Sequence, residues 1–183
     1  MVHWSNMDTP TTGPAQRAVV DAFLDVAAEI LDGYGAALAT FDDDTVNATP
    51  VPGTVNSAFA LVAHVHGMAV FWGGSFIAGE DRERDRAAEF RATGTVQEAG
   101  ALVAEIRDRL PEWAAVAMTE GVRNRSAKGT SRPDAAFVTP EWVLNHMLRE
   151  MAQHLGHLEV CRDVVLAERT DRADRADRAD RAR

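Results

Sequence analysis

Three histidines and one glutamate recur at helical intervals in a single segment of the chain. His146, Glu150 and His154 follow one another at intervals of four residues, and His157 comes three residues later. Residues four apart lie one turn from each other on the same face of an α-helix, so the carboxylate of Glu150 and the imidazole of His154 can reach one ion. Both groups bind zinc and similar divalent cations, and the spacing therefore indicates a metal site.

A helical wheel separates these four residues by depth. Taking His146 as the origin, Glu150 falls at about 40°, His154 at about 80° and His157 at about 20°. The apolar residues of the same segment span roughly 60° to roughly 180°. His154 therefore lies within the buried stripe and Glu150 at its edge, whereas His146 and His157 lie slightly further out.

A second pair of histidines, His64 and His66, lies in an apolar segment earlier in the chain. His66 falls at about 200° from His64 on the wheel, away from the apolar stripe. The residues that cluster around His64 are all large and apolar: Leu61, Val65, Met68, Phe71 and Trp72. The wheel predicts that His64 points inward and that His66 does not.

Two ordinary explanations compete with a metal site at His64, Glu150 and His154. A single histidine on an apolar face is usually a core residue with a satisfied hydrogen bond, and polar pairs four residues apart are common on helix surfaces. Against this, a buried ionised carboxylate is costly unless it is paired or bound to a metal. Spacing alone leaves these alternatives open.

Four helical segments must position these side chains. Pro14 begins the first, whose apolar pattern runs over residues 16–31, and Gly33 and Gly35 are expected to end it. The second is predicted over residues 58–76, capped by Asn56 or Ser57.

The third and fourth helices carry clear start signals. Thr95 and Glu98 form a capping box before the third, and Pro111 makes a break or kink possible near its end. Thr139 caps the fourth, which begins at Pro140 and is predicted to reach about Ala167.

The connecting segments are polar. We expect a loop over residues 41–53, and a solvated charged run over residues 81–90. Residues 119–138 are predicted to form a long loop over the site. Its basic residues either bind an acidic co-substrate or are simply solvated: Arg123, Arg125, Lys128 and Arg132.

Four helical segments without an alternating strand pattern predict an all-α four-helix bundle with a metal site in its core. The bundle domain is expected over residues 14–168, after a flexible leader of residues 1–13. Residues 169–183 are a charged tail with a DRA repeat, for which we expect disorder. The alternative is a weak extension of the last helix, through Asp–Arg pairs four residues apart.

The net charge and the cysteine content limit the classes of function that the protein can have. The 183 residues carry a net charge of -9, which argues against nucleic acid or an anionic membrane as a partner. Cys161 is the single cysteine, so no internal disulfide can form, and we expect a cytoplasmic protein. We interpret Cys161 as a packed core residue rather than a nucleophile.

The sequence WVLNHMLREMAQHLGHLEVCRD (residues 142–163) resembles the last helix of the DinB/YfiT-like superfamily. It is most similar to the actinobacterial mycothiol-dependent branch, related to mycothiol-dependent maleylpyruvate isomerase and mycothiol S-transferases. SAFALVAHVHGMAVFWGGSFIAGE (residues 57–80) resembles the second helix of that family, although Ala69 or a neighbour stands where the family has a glutamate. The resemblance covers roughly residues 15–167.

The resemblance implies a four-helix bundle of the DinB/YfiT-like type that holds one divalent ion on His64, Glu150 and His154. His157, and with it His146, would lie beside the ligands. Zinc suits this ligand set best, with nickel, iron or manganese as alternatives. The implied co-substrate is a small thiol, mycothiol, which the metal would hold as a thiolate.

The implied function is thus that of a metal-dependent enzyme whose mycothiol thiolate attacks an electrophile, either as an S-transferase or as an isomerase that adds and then eliminates the thiol. Two other functions stay open: a non-catalytic metal-binding or stress-associated protein, and a hydrolase that uses metal-bound water. The family resemblance also makes a homodimer possible.

Overall fold

The computed structural model describes residues 13–51 and 56–181, without the side chains of residues 172–174 and 176. The predicted leader therefore lies outside the described residues, apart from Gly13. The helices within the described ranges are α1 (Pro14–Leu38), α2 (Ala58–Ala69), α3 (Arg86–Glu89), α4 (Val96–Thr119) and α5 (Pro140–Arg181). The loops contain two short 3-10 turns, Thr45–Asn47 and Ala135–Phe137.

The four long helices form a bundle. Helices α1 and α2 each pack against both α4 and α5, which places α1 and α2 at diagonal corners. Large side chains from all four helices fill the core, among them Tyr34, Met68, Trp113 and Met147. The described residues contain no strand, and the all-α bundle predicted from the sequence is confirmed.

Helix α1 is longer than its sequence pattern predicts. It continues through Gly33 and Gly35 to Leu38, so the expectation that these glycines end it is wrong. Packing explains the continuation. A Cβ atom on Gly33 would lie 2.6 Å from Cδ2 of Leu155, so the glycine lets α1 approach α5 closely. Next to it, the buried Tyr34 hydroxyl donates a hydrogen bond to the carbonyl of Met151 at 2.9 Å.

Helix α2 begins as predicted, with the Ser57 side chain accepting a hydrogen bond from the amide of Ala60. From Val70 to Ile77 the helix changes to π geometry. Gly73 lies within this stretch, where a Cβ atom would lie 2.2 Å from the Trp113 ring. Gly79, with a φ of 75°, follows the helix end in the left-handed region that favours glycine.

The stretch Ala58–Ile77 is, by length and composition alone, apolar enough to cross a membrane. However, 78% of its most apolar window is buried inside the protein. Its apolar character is accounted for by its position in the bundle core.

Helix α4 begins with the predicted capping box, in which Thr95 and Glu98 exchange hydrogen bonds with each other's backbone amides. It runs without a break through Pro111 to Thr119. Trp113 and Val116, beyond the proline, are buried in the core and hold this part of the helix on the bundle.

Helix α5 starts at Pro140 and continues well beyond the predicted end at Ala167. It passes through the DRA repeat to Arg181. Ion pairs four residues apart accompany the extension, including Asp177 with Arg181 at 2.8 Å. The described part of the charged tail, residues 169–181, is drawn as a continuation of α5.

Candidate metal centre

The bundle brings His64 of α2 next to Glu150 and His154 of α5. One potential ligand atom from each of these three residues lies within 4.8 Å of the others. His64 is buried at 3% exposure, as the helical wheel predicts. The side chains of Glu150 and His154 are 18% and 13% exposed. Two imidazoles and one carboxylate therefore converge on one partly shielded point.

The orientation of His64 is set by a residue outside this trio. Its Nδ1 lies 2.8 Å from Oε2 of Glu89, and its ring stacks on Phe90 with centroids 4.5 Å apart. Burial raises the pKa of Glu89, but hydrogen bonds from His64 and Arg84 outweigh it, and the pKa is lowered overall. The ionised carboxylate accepts a hydrogen bond from the Nδ1–H group, which leaves Nε2 of His64 available to a ligand.

The expectation that the charged run of residues 81–90 is solvated is wrong for Arg84 and Glu89. The Arg84 and Glu89 side chains are only 8% and 10% exposed, and Arg84 Nε lies 2.7 Å from Glu89 Oε1. The segment turns inward because each charge is neutralised by the other, which lowers the cost of burying them. Asp85 caps the single turn of α3 by accepting a hydrogen bond from the amide of Ala88.

His154 is held as a neutral imidazole. Burial lowers its pKa to about 4, and the nearby His64 contributes in the same direction while Glu150 opposes it. Its Nε2 lies 3.7 Å from Oε2 of Glu150. Its Nδ1 is buried and has no hydrogen-bond partner among the residues the structure describes. A neutral histidine with an unpaired ring nitrogen is in the protonation state that metal binding requires.

Glu150 lies at the centre of a charged group. Arg149 donates a hydrogen bond to its Oε1, and Nδ1 of His146 lies 3.8 Å from the same oxygen. Arg149 also donates to Nδ1 of His146 at 3.1 Å, so the neutral His146 ring carries its proton on Nε2. Burial lowers the pKa of His146, which favours this neutral form.

The two histidines expected beside the ligands do lie next to the trio. The His146 ring stacks on Trp142, with centroids 4.7 Å apart, and meets the edge of Trp72 at 5.0 Å. His157 is exposed, and its ring lies 5.4 Å from that of His154.

A cavity of about 330 Å³ opens directly beside the trio. His64 and Glu150 line it, together with the side chains of Met68 and Trp72. Residues 129–134 form another part of the wall, so the long loop lies against the site as predicted. The site is therefore accessible to a small molecule.

The basic residues of that loop have different environments. Arg132 lines the cavity, where it pairs with Asp134 and lies 4.3 Å from the Trp142 ring centroid. Arg123 pairs instead with Glu120, and Arg125 donates to two backbone carbonyls within the loop. The candidate co-substrate contact in this loop is thus Arg132, joined at the cavity wall by Arg84 and Arg86.

Cys161 is a core residue, as interpreted from the sequence. It is 1% exposed, and burial raises the pKa of its thiol to about 11. A thiol in this state is a poor nucleophile at neutral pH.

Sequence reasoning missed Glu89 and Arg84. The signal in the sequence was the DRAAEF stretch (residues 85–90). Asp85 as an N-cap residue, together with the apolar Phe90, indicates a short helical turn rather than a solvated charged loop. Nothing in the spacing indicated that Glu89 would meet His64, because the two residues lie on separate elements.

A family model described as Mycothiol-S-transferase matches residues 20–166, a range that contains all three converging residues. No curated protein and no solved structure matches the chain. The matched range covers well over half of the 183 residues and includes all of α2 and α4 and most of α1 and α5. The chain belongs to the mycothiol S-transferase family.

Proposed function

We propose that this protein is a metal-dependent mycothiol S-transferase in which His64, Glu150 and His154 hold one divalent cation. The observation that carries the proposal is the convergence of these three side chains, within 4.8 Å, beside a cavity that His64 and Glu150 line. Three protein ligands leave coordination positions open, which is typical of catalytic rather than structural sites. The family match supports mycothiol as the thiol.

The donor set fits a divalent transition metal. His154 is neutral with an unpaired nitrogen, and His64 presents Nε2 because Glu89 accepts its other proton. Two imidazoles and one carboxylate suit zinc, our first choice, and are also compatible with nickel, iron or manganese.

A bound divalent cation would lower the pKa of a coordinated thiol and so favour the thiolate nucleophile. Other side chains provide the environment of the reacting groups in the cavity. Met68 and Trp72 give the cavity an apolar wall that shields the reacting groups from water. The side chains of Arg86 and Arg132, which also line the cavity, favour an electrophile that carries an anionic group.

We further propose a cytoplasmic location, where a small thiol and Cys161 both stay reduced. The homodimer remains a prediction.

The test is to load the purified protein with cobalt and add mycothiol while recording the absorption spectrum. We expect the thiol to change the cobalt bands and to be conjugated to a generic electrophile. A spectrum unchanged by thiol, in a protein that binds cobalt, would contradict the transferase and favour a non-catalytic metal-binding role. Turnover of esters or amides without thiol would instead favour the hydrolase.

A further inference from the structure

We propose that Glu89 is a positioning residue for the metal centre: it fixes the tautomer and ring orientation of His64. Arg84 holds Glu89 and joins it to the loop over the cavity. This inference rests on the proposed function, because it treats His64 as a metal ligand.

The His64–Glu89 contact has the geometry of a strong, shielded hydrogen bond. Nδ1 and Oε2 are 2.8 Å apart, and the two side chains are 4% and 10% exposed. An ionised carboxylate can only accept, so His64 carries a proton on Nδ1 and presents Nε2 to an ion. Ligating histidines commonly have such a carboxylate behind them, and its removal weakens metal binding.

Glu89 is itself held in place from the far side. Arg84 donates from Nε to Oε1 at 2.7 Å and from a terminal nitrogen to Oε2 at 3.0 Å. The second oxygen is therefore shared between Arg84 and His64. A planar guanidinium fits both carboxylate oxygens at once, whereas a lysine ammonium cannot, so the Arg84 fork restricts the rotation of the carboxylate.

Helix α2 leaves a space for this carboxylate. Gly67 lies three residues after His64, and a Cβ atom built on it would lie 2.1 Å from Oε1 of Glu89. Any larger residue at position 67 would displace the carboxylate from its place beside His64. The glycine thus belongs to the same arrangement as the histidine and the glutamate.

Arg84 extends the connection to the cavity wall. Its Nη1 donates to the carbonyl of Gly129 at 3.2 Å, and Gly129 lines the cavity. Gly129 has a φ of 147°, and a Cβ atom there would lie 2.7 Å from the Phe71 ring and 3.0 Å from Cβ of Arg84. The loop backbone therefore packs directly on Arg84, and the position of the loop depends on the pair that orients His64.

A matched pair on the same helix provides the control. Nε2 of His66 lies 2.9 Å from Oε2 of Glu105, and this pair is more exposed, at 19% and 40%. It has the same residue types and a similar distance, but His66 is not part of the converging trio. Changes at Glu105 should leave the metal centre unaffected.

The experiment compares wild type with Glu89→Ala, Glu89→Gln and Glu105→Ala. Nitrogen-15 NMR of the histidine rings, on metal-free protein, reports which ring nitrogen of His64 carries the proton. Cobalt titration then measures metal affinity. We expect Nδ1 protonation in wild type, loss of that preference in Glu89→Ala, and a fall in affinity of about 10- to 100-fold. Glu89→Gln keeps an acceptor oxygen and should retain more of both properties, and Glu105→Ala should match wild type.

The outcomes separate the two proposals. If wild type binds no cobalt, the metal centre and this inference both fail. If wild type binds cobalt and Glu89→Ala has the same affinity and the same His64 tautomer, the metal centre stands and the role of Glu89 is refuted. If Glu89→Ala does not fold, Glu89→Gln decides: a smaller but measurable loss of metal affinity and of Nδ1 protonation at His64 is expected there, and values equal to those of wild type would refute the role of Glu89.

Discussion

At the residue scale, burial and hydrogen bonds together set the protonation states of His154 and Glu89 at the candidate metal centre. His154 lies where the helix face is apolar, and desolvation lowers its pKa from 6.5 to about 4. Glu89, although also partly buried, keeps a lowered pKa because His64 and Arg84 donate to it. At neutral pH His154 is therefore a neutral imidazole, the form in which histidine binds a divalent cation.

The first prediction concerns the titration of His154 in metal-free protein. The folded state takes up a proton at His154 near pH 4, whereas an unfolded chain does so near pH 6.5. Between these values the unfolded state binds more protons, so the stability contributed by neutral His154 is present above pH 6.5 and is lost as the pH falls toward 4. NMR of the histidine rings against pH measures the midpoint.

Glu150→Gln is the control for this titration. The carboxylate of Glu150 raises the pKa of His154, so its removal should move the midpoint still lower. A midpoint for His154 in wild type at the ordinary histidine value would show that its ring is not desolvated as described.

The second prediction concerns Cys161. Because burial raises its pKa to about 11, the folded protein should react only slowly with iodoacetamide at pH 8, and should react rapidly once it is denatured. Cys161→Ala should retain thiol transfer to an electrophile. Loss of transfer in a Cys161→Ala protein that still binds metal would make the cysteine part of the reaction.

At the scale of elements, the π-helical end of α2 positions the aromatic wall of the cavity. Trp72 lies in this stretch and contacts both Trp142 and His146. π-Helical turns inside α-helices are frequent at functional sites, because they redirect side chains by one position. Gly73 allows the stretch to pack against the buried Trp113 ring.

The third prediction compares two helical glycines. Gly73→Ala should destabilise the protein by about 1–3 kcal/mol, because its methyl group would overlap a rigid, buried indole. Gly35→Ala should stabilise it by about 0.5–1 kcal/mol, because nothing lies within 4 Å of the added atom and alanine favours the helix. Urea denaturation of both variants measures the change. Equal effects would contradict the packing described at Gly73.

At the scale of the whole molecule, the bundle joins segments that are far apart in sequence. The trio comes from α2 and α5, because both helices place their most apolar faces in one core. The inward orientation of these side chains could be predicted from helical periodicity, because the apolar pattern is clear within each of the two segments. The resemblance in residues 142–163 correctly indicated the fold and the family.

Other features were not predictable from local pattern. Gly33 and Gly35 look like helix stops, and only the approach of α5 shows why α1 continues past them. The charged run of residues 81–90 looks solvated, because sequence does not show that Arg84 and Glu89 neutralise each other under the loop. In each case a tertiary contact overrides a local signal.

The most direct test of the account is the metal content of protein purified without added metal, measured by mass spectrometry on wild type, His154→Ala and His66→Ala. We predict one divalent metal ion per chain in wild type and in His66→Ala, and a large loss in His154→Ala, because His154 is one of the three proposed ligands whereas His66 pairs with Glu105 and is not part of the trio. Metal retained equally by His154→Ala, with folding intact, would contradict the proposed centre.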